Sequence, residues 1–416
     1  MNGRPRLRVV IDSRLRNGEP GGVQQVVVGL ARGLSRVADP SGEEYLFLAW
    51  AGHSAWLDPF VSGACRVVTL PASRLRAAGR WVQKRARAMG WFGARPSGVM
   101  RIAAADRAVE ALRPDVLHFP LQRAFLTSVP SIYQPHDLQH VHLPHLFTAG
   151  AHESRDRVYR AYCNQATTVV VMSRWGREDL VNHLDLPVTK VAVIPWAPLV
   201  GEYAPPDAAR LEAVRRTHRL PREFAYFPAH TFPHKNHLRL LEALARLRDA
   251  GLVVPLVCSG GRNEYFRVIR KAIRRLALDA QVRFVGFVPP DDVAALYRLC
   301  RAVVFPTLFE GWGLPLSEAL AAGVPVACSA VTCLPEQASG AAVLFDPNDV
   351  ADIATAVRKV WTDERARADL TARGRGVVAA LDWSRTANLF RAHYRRAAGH
   401  ELSAREAGLL EEAPVC

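Results

Sequence analysis

Short apolar segments alternate with longer amphipathic stretches along most of the chain. The short segments are rich in Val, Ile, Leu and Phe, which is typical of buried strands. The longer stretches, such as Val23–Val37, have helical periodicity. This alternation favours an α/β fold with parallel sheets covered by helices on both faces. The predicted strands are Leu7–Ile11, Tyr45–Ala49, Val67–Leu70, Val116–Phe119, Ser131–Tyr133, Thr168–Met172, Val191–Ile194, Phe224–Phe227, Val254–Cys258, Val282–Val285, Ala302–Phe305, Val324–Cys328 and Ala342–Phe345.

A stretch rich in proline and glycine, Leu199–Pro206, divides these strands into two series. The length of 416 residues is enough for two or three domains. We predict two doubly wound, Rossmann-like domains, at 1–200 and 201–383, that face each other across a cleft. A final helix at 384–400 and a mobile tail at 401–416 follow, since the tail shows no periodicity with a partner element.

Composition limits the environment of the protein. No apolar run approaches the roughly 20 residues of a membrane-spanning helix. The first residues carry several arginines and lack the apolar core of a signal peptide. Seven cysteines without a C-x-x-C pair indicate reduced thiols, with Cys328 and Cys333 as small buried apolar residues. We therefore expect a cytoplasmic location.

The net charge of +15 is concentrated in part between Arg74 and Arg107, where Trp81, Trp91 and Phe92 are interleaved with basic residues. This makeup is typical of an interfacial amphipathic helix on anionic lipid, which would place the protein peripherally on the inner face of the plasma membrane. An ordinary solvated basic face has the same makeup, because arginine is frequent throughout the chain, so both interpretations stay open. Nucleic acid is not expected as a partner, since no nucleic-acid-binding motif accompanies the charge.

Two glutamates, Glu310 and Glu318, flank a Gly-x-Gly turn. Glu310 follows the predicted strand Ala302–Phe305, and Glu318 falls within the first turns of the next helix. Gly311 and Gly313 allow backbone amides to approach a ligand closely, and a helix N-terminus favours an anion. Carboxylates bind sugar hydroxyls and amides bind phosphates, so the pattern favours a sugar-nucleotide site. The alternative is two solvated acids at a helix end.

Lys235 follows the predicted strand Phe224–Phe227 and is expected to begin a helix. A lysine ammonium at the end of a strand can hold a diphosphate as a compact positive charge. The alternative is one more surface cation.

The string from Glu310 to Ala321, Glu-Gly-Trp-Gly-Leu-Pro-x-x-Glu-Ala-Leu-Ala, resembles the E-x7-E signature of the retaining glycosyltransferases of family 4, which have the GT-B fold. The resemblance implies that Glu318 binds the ribose hydroxyls of the nucleotide and that Glu310 binds hydroxyls of the transferred sugar. It also implies that the amides of Gly313 and Leu314 contact sugar and phosphate oxygens.

By the same resemblance, Lys235 contacts the donor diphosphate. Many members place an arginine five residues before that lysine, but this chain has His230 there, so one fixed positive charge is missing. The charge of His230 then depends on its environment. Gly286 and Phe287 are expected to border the nucleotide base, with a plain strand end as the alternative.

The first domain is expected to contribute Gly21, Gly22 and His136. The glycines would let backbone amides approach the donor, or would form a turn without a ligand. His136 resembles the histidine of the family that reaches the transferred sugar, and the alternative is a buried structural histidine. The family commonly returns its final helix to the first domain. Four histidines occur within ten residues, but no Cys or Glu joins them, so we expect no metal; they are His136, His140, His142 and His145.

The resemblance implies a retaining transfer of a hexosyl group from a nucleotide diphospho-sugar to an acceptor hydroxyl, in polysaccharide or glycoconjugate biosynthesis. His136, Lys235 and Glu310 would carry the reaction without a cofactor. The Pro-His-Lys-Asn-His string is similar to that of mannosyl-type transferases, which favours GDP-mannose over a UDP-sugar. A glycan or a lipid-linked molecule is the expected acceptor. Two alternatives remain: a sugar-nucleotide epimerase of the same fold, and a non-catalytic basic protein that binds membranes.

Overall fold

The computed structural model describes residues 6–15, 22–71, 100–200 and 205–411. These residues divide into two compact units. The first unit holds the chain up to Met172, Arg177–Ile194 and the chain from Trp383, and the second holds Ser173–Gly176 and Pro195–Asp382. The chain thus leaves the first unit after Ile194, a few residues before the predicted boundary at 200.

The first unit contains a seven-stranded sheet in the order β3-β2-β1-β4-β5-β6-β7, and every neighbouring pair is parallel. Its core is formed mainly by fully buried Val, Leu, Phe and Tyr side chains from the strands and the helices beside them. All the strands predicted for this part of the chain are present. They are β1 Leu7–Ile11, β2 Glu43–Trp50, β3 Cys65–Leu70, β4 Val116–Phe119, β5 Ser131–Tyr133, β6 Thr168–Val171 and β7 Val191–Val193.

The helices of the first unit follow the same alternation. The longest ones cover the sheet through apolar stripes, and the short ones lie in the loops. They are Gly22–Val37, Arg107–Glu110, Gln139–His142, Ala149–Gln165, Arg174–Leu184, Trp383–Ala397 and Ala404–Glu411.

The helix Trp383–Ala397 packs against the helix Gly22–Val37 within the first unit. Gly29 and Gly33 make this close approach possible. A Cβ atom at Gly29 would lie 2.0 Å from the indole ring of Trp383, and one at Gly33 would lie 2.3 Å from its main-chain oxygen. Side chains at these two positions would therefore separate the helices.

A buried carboxylate also holds this helix. The Glu43 side chain is fully buried and accepts hydrogen bonds from Arg391 at 2.9 Å and from Arg395 at 2.6 Å. A buried charge of this kind needs such partners, because removing one of them leaves it uncompensated. The contacts of Glu43 with the two arginines fix the position of the helix Trp383–Ala397 within the first unit.

A helix, Ala404–Glu411, occupies part of the segment for which we expected a mobile tail. Ser403 and Glu406 form a capping box: the Ser403 N–H donates to the Glu406 carboxylate at 2.9 Å, and the Glu406 N–H donates back to Ser403 Oγ at 3.3 Å. Glu406 also pairs with Arg395 at 3.0 Å. The S-x-x-E spacing was the sequence signal for this helix, and residues 412–416 lie outside the described part of the chain.

The second unit contains a six-stranded parallel sheet in the order β10-β9-β8-β11-β12-β13. Apolar strand residues and the facing sides of the helices form one core, in which Cys328 and Cys333 are fully buried, as predicted. The strands are β8 Ala225–Pro228, β9 Leu256–Ser259, β10 Val282–Gly286, β11 Ala302–Phe305, β12 Val326–Ser329 and β13 Ala342–Phe345. The helices are Ala208–Thr217, His237–Asp249, Phe266–Arg275, Pro290–Leu299, Leu314–Ala321, Leu334–Ala338, Val350–Thr362 and Glu364–Ala379.

Two predicted features fall where the structure gives no description. Gly21 is one, and the other is most of the basic segment between Arg74 and Arg107, since residues 72–99 are outside the described ranges. Within those ranges, no helix combines the length and the apolar character needed to cross a membrane.

Candidate active site

The predicted donor-site residues of the second unit gather at one edge of its sheet. The strands are parallel, so their carboxyl ends meet there, which is where ligands bind in sheets of this type. Main-chain hydrogen bonds connect the loops at this edge. The N–H of Gly260, after β9, donates to the oxygen of Gly286, at the end of β10, at 2.7 Å, and the N–H of Leu308, after β11, donates to that of His234, after β8, at 2.7 Å.

Lys235 lies in a 3-10 turn, Pro233–Lys235, and the following α-helix begins at His237. The prediction that Lys235 begins the helix was therefore wrong. The reason is Asn236, which has a left-handed backbone conformation, with φ of 61°. Its buried side-chain amide donates to the main-chain oxygens of Pro306 at 3.0 Å and Pro347 at 2.8 Å, and these bonds hold the turn against neighbouring loops.

The ammonium of Lys235 lies 2.6 Å from a carboxylate oxygen of Glu310. Only 17% of the Lys235 side chain and 11% of the Glu310 side chain are exposed, so neither residue is a plain surface charge. The ammonium also lies 5.6 Å from the centre of the Phe305 ring. A pair this well shielded from water interacts more strongly than an exposed one, because less solvent screens it.

Glu318 lies on the helix Leu314–Ala321 and is 5% exposed. Its carboxylate accepts a hydrogen bond from the hydroxyl of Tyr297 at 2.8 Å, and Tyr297 packs edge-on against Tyr226. Burial raises the pKa of Glu318 from 4.5 to about 7. The interpretation of Glu310 and Glu318 as solvated helix-end acids is thereby excluded.

The backbone N–H groups of Gly313 and Leu314 donate hydrogen bonds to oxygens of the protein. The Gly313 N–H donates to the side-chain oxygen of Gln337 at 3.1 Å, and the Gln337 side-chain amide donates back to the Gly313 oxygen at 3.0 Å. The Leu314 N–H donates to the Trp312 oxygen at 3.1 Å. The contact of both amides with sugar or phosphate oxygens stays a prediction, and it would require each amide to exchange its present acceptor for the ligand.

His230 has a defined tautomer. Its Nδ1 accepts the N–H of Gly261 at 2.8 Å, so the ring proton of the neutral form is on Nε2. Burial lowers the pKa of His230, which makes the ring neutral at neutral pH. A Cβ atom at Gly261 would lie 2.7 Å from this Nδ1, and Gly260 has a φ of 124°, so the two glycines permit the contact. His230 therefore supplies a hydrogen-bond donor and not the positive charge of an arginine.

Gly286 and Phe287 lie at the end of β10. Gly286 has a φ of 81°, a conformation that favours glycine. The Phe287 side chain is 63% exposed, an unusual state for a large apolar ring. An exposed ring at this edge is suited to stacking against a planar base, although a plain strand end remains the alternative interpretation.

The predicted residues of the first unit include Gly22, which begins the helix Gly22–Val37 and is exposed. His136 has a φ of 72°, and its Nε2 donates to the main-chain oxygen of Pro120 at 2.8 Å. Burial lowers the pKa of His136, so the ring is neutral and Nδ1 carries the lone pair. These contacts anchor His136 at its loop.

The four histidines that are close in sequence lie in different surroundings in the structure. His140 is fully buried and has no hydrogen-bond partner at either ring nitrogen among the described residues, His145 is exposed, and His142 lies beside Asp179 and His183. The expectation that the four histidines bind no metal together stays a prediction.

Sequence reasoning missed the residues that support the predicted ones. Tyr297 contacts Glu318, Gln337 holds Gly313, and Thr332 accepts the N–H of Glu310 at 3.4 Å. None of the three belongs to a motif, and each acts on a residue that is distant in sequence. Asn236 also supports a predicted residue, but it does belong to a motif, since it stands in the Pro-His-Lys-Asn-His string.

Two family profiles match the chain. The profile described as Glycosyl transferases group 1 matches residues 212–377, and the one described as Glycosyltransferase Family 4 matches residues 62–197. The two matches follow each other and correspond largely to the second and the first unit.

Curated relatives include O-antigen chain mannosyltransferase B of Escherichia coli, which is 29% identical over 266 residues, or 61% of this chain and 70% of the relative. The serotype-specific mannosyltransferase WbdA of E. coli is 32% identical over 231 residues. That match covers 54% of this chain and only 28% of WbdA, so the similarity spans about a quarter of that longer protein.

A solved structure, Anabaena Alr3699/HepE in complex with UDP and glucose, superposes with a TM-score of 0.70. The superposition covers 94% of this chain and all of HepE, at 17% identity, which shows the fold alone. With the two consecutive profile matches, it establishes that this chain has the GT-B fold and belongs to the glycosyltransferases of group 1.

Proposed function

We propose that this enzyme transfers a hexosyl group, preferably mannosyl, from a nucleotide diphospho-sugar to the hydroxyl of a glycan or lipid-linked acceptor, with retention of the anomeric configuration. The observation that carries this proposal is the Lys235–Glu310 pair, 2.6 Å apart at the carboxyl edge of the second sheet. It combines a fixed cation for a diphosphate with a carboxylate for sugar hydroxyls in a poorly solvated place.

Lys235 would stabilise the charge that develops on the departing diphosphate, and Glu310 would hold it in position. A cation that is already oriented needs no reorganisation when the bond to the leaving group breaks, which is the main source of electrostatic catalysis. His230 would add a neutral donor through Nε2, since its Nδ1 is occupied by Gly261. Because these groups supply the stabilisation, the transfer step requires no metal.

Glu318 would bind the ribose through the carboxylate that Tyr297 orients, and the exposed ring of Phe287 would border the base. We keep His136 as the proposed histidine for the transferred sugar. In the proposed retaining reaction, the bond from the anomeric carbon to the diphosphate breaks and the acceptor oxygen bonds to the same face, while the departing phosphate takes the acceptor proton.

The names of the relatives support the choice of sugar and acceptor. Two of them are mannosyltransferases, one of the O-antigen chain, which favours GDP-mannose and a growing surface polysaccharide. The Anabaena structure was solved with UDP and glucose, so a UDP-sugar is the competing donor. The net charge of +15 fits an acceptor that carries phosphate or lies at an anionic membrane surface.

The first test is a thermal-shift screen with UDP, GDP, ADP, dTDP and their sugars. A nucleotide at 100 times its dissociation constant adds about 2.7 kcal/mol of stability, so a shift is easily measured. We expect GDP and GDP-mannose to raise the midpoint in wild type and much less in Glu318→Ala. A shift with UDP alone would overturn the mannosyl preference, and no shift with any nucleotide would overturn the donor site.

The second test is transfer itself, with the donor identified by the first. We expect consumption of the donor only when a mannose-ending glycan acceptor is added, and a retained anomeric configuration in the product by NMR. Conversion of the donor sugar without an acceptor would favour the epimerase alternative.

A further inference from the structure

Three potential metal ligands meet on the first unit. His142 ends the short helix Gln139–His142, and Asp179 and His183 lie one turn apart on the helix Arg174–Leu184. Residues four positions apart on a helix project from the same face. One potential ligand atom of each residue lies within 4.8 Å of the others.

The contacts within this cluster are short. Nε2 of His142 lies 2.6 Å from Oδ1 of Asp179, and Nδ1 of His183 lies 3.1 Å from the same oxygen. The two imidazole rings are 5.1 Å apart between centres. The carboxylate is thus placed between two histidines, and neither of them is among the predicted donor-site residues.

A second observation points to a ligand. The Asp179 side chain is 4% exposed, and its Oδ2 has no hydrogen-bond partner among the described residues. A buried carboxylate oxygen without a partner is costly, because it has lost its water and gained nothing in return. The two histidine contacts made through Oδ1 leave this second oxygen unexplained.

We propose that His142, Asp179 and His183 bind one divalent transition-metal ion of the zinc class, with solvent at the remaining coordination position. Two imidazole nitrogens and one carboxylate oxygen are a ligand set that Zn²⁺ accepts readily. With metal–ligand bonds of about 2.0–2.2 Å, neighbouring ligand atoms of a tetrahedral site lie about 3.3–3.5 Å apart. The 2.6 Å contact of His142 with Asp179 therefore needs to open by less than about 1 Å, and ligand atoms up to 4.8 Å apart need to close by at most about 1.5 Å.

The protein also orients one of the rings. Nδ1 of His183 lies 2.9 Å from the main-chain oxygen of Asp179, and a histidine that binds a metal usually donates its other ring N–H to such an oxygen, so His183 would bind the ion through Nε2. The ion would take the place of the hydrogen bond between Nε2 of His142 and Asp179. It would join the segment around residues 139–142 to the helix Arg174–Leu184.

The site is tested by isothermal titration of the metal-free full chain with Zn²⁺, together with the visible absorption of Co²⁺. We expect one tight equivalent and a Co²⁺ spectrum typical of four ligands. His142→Gln and His183→Gln should each weaken binding by at least about 10- to 100-fold, since the loss of a group that only supports a ligand already costs that much. His145→Gln, an exposed neighbour, is the matched control and should bind as wild type does.

Because Asp179 is buried, its variant is Asp179→Asn, which keeps the shape and removes the charge. Circular dichroism before titration establishes that each variant is folded. Two results would overturn the proposal: absence of tight Zn²⁺ binding in wild type, or the same affinity in wild type and in the double variant His142→Gln, His183→Gln. The second would assign the binding to other histidines or to thiols. Neither result depends on transferase activity.

Discussion

The ammonium of Lys235 lies 2.6 Å from Oε1 of Glu310, although 75 positions separate the two residues in the sequence. The turn Pro233–Lys235 and the loop after β11 bring them together, since both Leu308 N–H and Thr307 hydroxyl donate to the oxygen of His234. The cation and the carboxylate thus stand on two loops that are hydrogen-bonded to each other. A substitution of either residue should disturb the other, which makes the pair one functional unit.

Lys235→Ala should lower kcat/KM by about 10²–10³-fold, because it removes a preorganised positive charge from the leaving diphosphate. Glu310→Gln should also lower it, since the glutamine keeps the size of the side chain but neither orients Lys235 by charge nor accepts sugar hydroxyls as strongly. The double variant should lose much less than the product of the two single effects. Steady-state kinetics with saturating acceptor measure all three.

The matched control is Lys271→Ala, which removes another of the few lysines from an exposed helix position. It should change kcat/KM little and should leave the thermal midpoint as in wild type. Full activity of Lys235→Ala in a folded state would contradict the site assignment. Fully multiplicative effects in the double variant would contradict the coupling of Lys235 to Glu310.

Nucleotide binding should depend on pH through Glu318. Burial raises the pKa of its carboxyl to about 7, so the group is mostly protonated at about pH 6 and ionised at about pH 8. The ionised form is the stronger acceptor for ribose hydroxyls, so affinity for the nucleotide should increase over this range. Calorimetric titrations at several pH values should show the increase in wild type and not in Glu318→Gln.

Stability of the ligand-free protein should change in the opposite direction. The pKa of Glu318 is higher in the folded than in the unfolded state, so its contribution is present below about pH 4.5 and is lost as pH rises through about 7. Urea unfolding at both ends of this range measures the change, and Glu318→Gln should reduce it. If ligand-free stability and nucleotide affinity rose together with pH, Glu318 would not be the titrating group.

The fold could be predicted because most of the strands are short buried runs. In β4, β6 and β11 every residue is buried, and such parallel strands appear in the sequence as continuous apolar segments. The bounds of the strands therefore agree with the prediction within a few residues. The start of the helix after Lys235 was missed, because the left-handed conformation of Asn236 depends on contacts with Pro306 and Pro347, which sequence order does not reveal.

The residues of the site could be predicted only where they stand in a short sequence motif. Glu310, Glu318 and Lys235 stand in recognisable strings, and the structure brings Lys235 to Glu310. The bond from Gly313 to Gln337 spans 24 positions, and the contact of His142 with Asp179 spans 37. Such pairs depend on how helices pack, so local patterns contain no signal for them.

His230 should act as a neutral donor held by Gly261. His230→Asn keeps an acceptor near the position of Nδ1 but loses the donor at Nε2, so it should lower kcat about tenfold or more and leave the thermal midpoint nearly unchanged. His230→Ala loses both, so it should lower kcat and also destabilise the protein by about 1 kcal/mol through the unpaired Gly261 amide. Differential scanning fluorimetry and kinetics separate the two effects.

The neutral state of His230 adds a further test. Its pKa is lowered by burial, so above neutral pH the ring does not change charge and the effect of His230→Asn should be constant there. An effect of this substitution that fades as pH rises would show that a protonated, charged ring acts in wild type, which would contradict the assigned tautomer.

Gly313→Ala should destabilise the second unit and lower activity together. The added Cβ would lie 2.5 Å from Cδ2 of Leu334 and 2.9 Å from Oε1 of Gln337, and both side chains are buried, so they have little room to move. Overpacking of this kind costs about 1–3 kcal/mol. Gln337 is hydrogen-bonded to Gly313, which lies on the same loop as Glu310. A shift of the Gln337 side chain should therefore also move Glu310 relative to Lys235.

Gly376→Ala is the control, because a Cβ there meets nothing within 4 Å and alanine is the better helix former. It should stabilise the protein by about 0.5–1 kcal/mol in urea unfolding. If Gly313→Ala proved as stable as wild type but lost nucleotide binding, the amide of Gly313 would act on the ligand directly. That result would support the role predicted from the motif and would require Gln337 to release Gly313 when the donor binds.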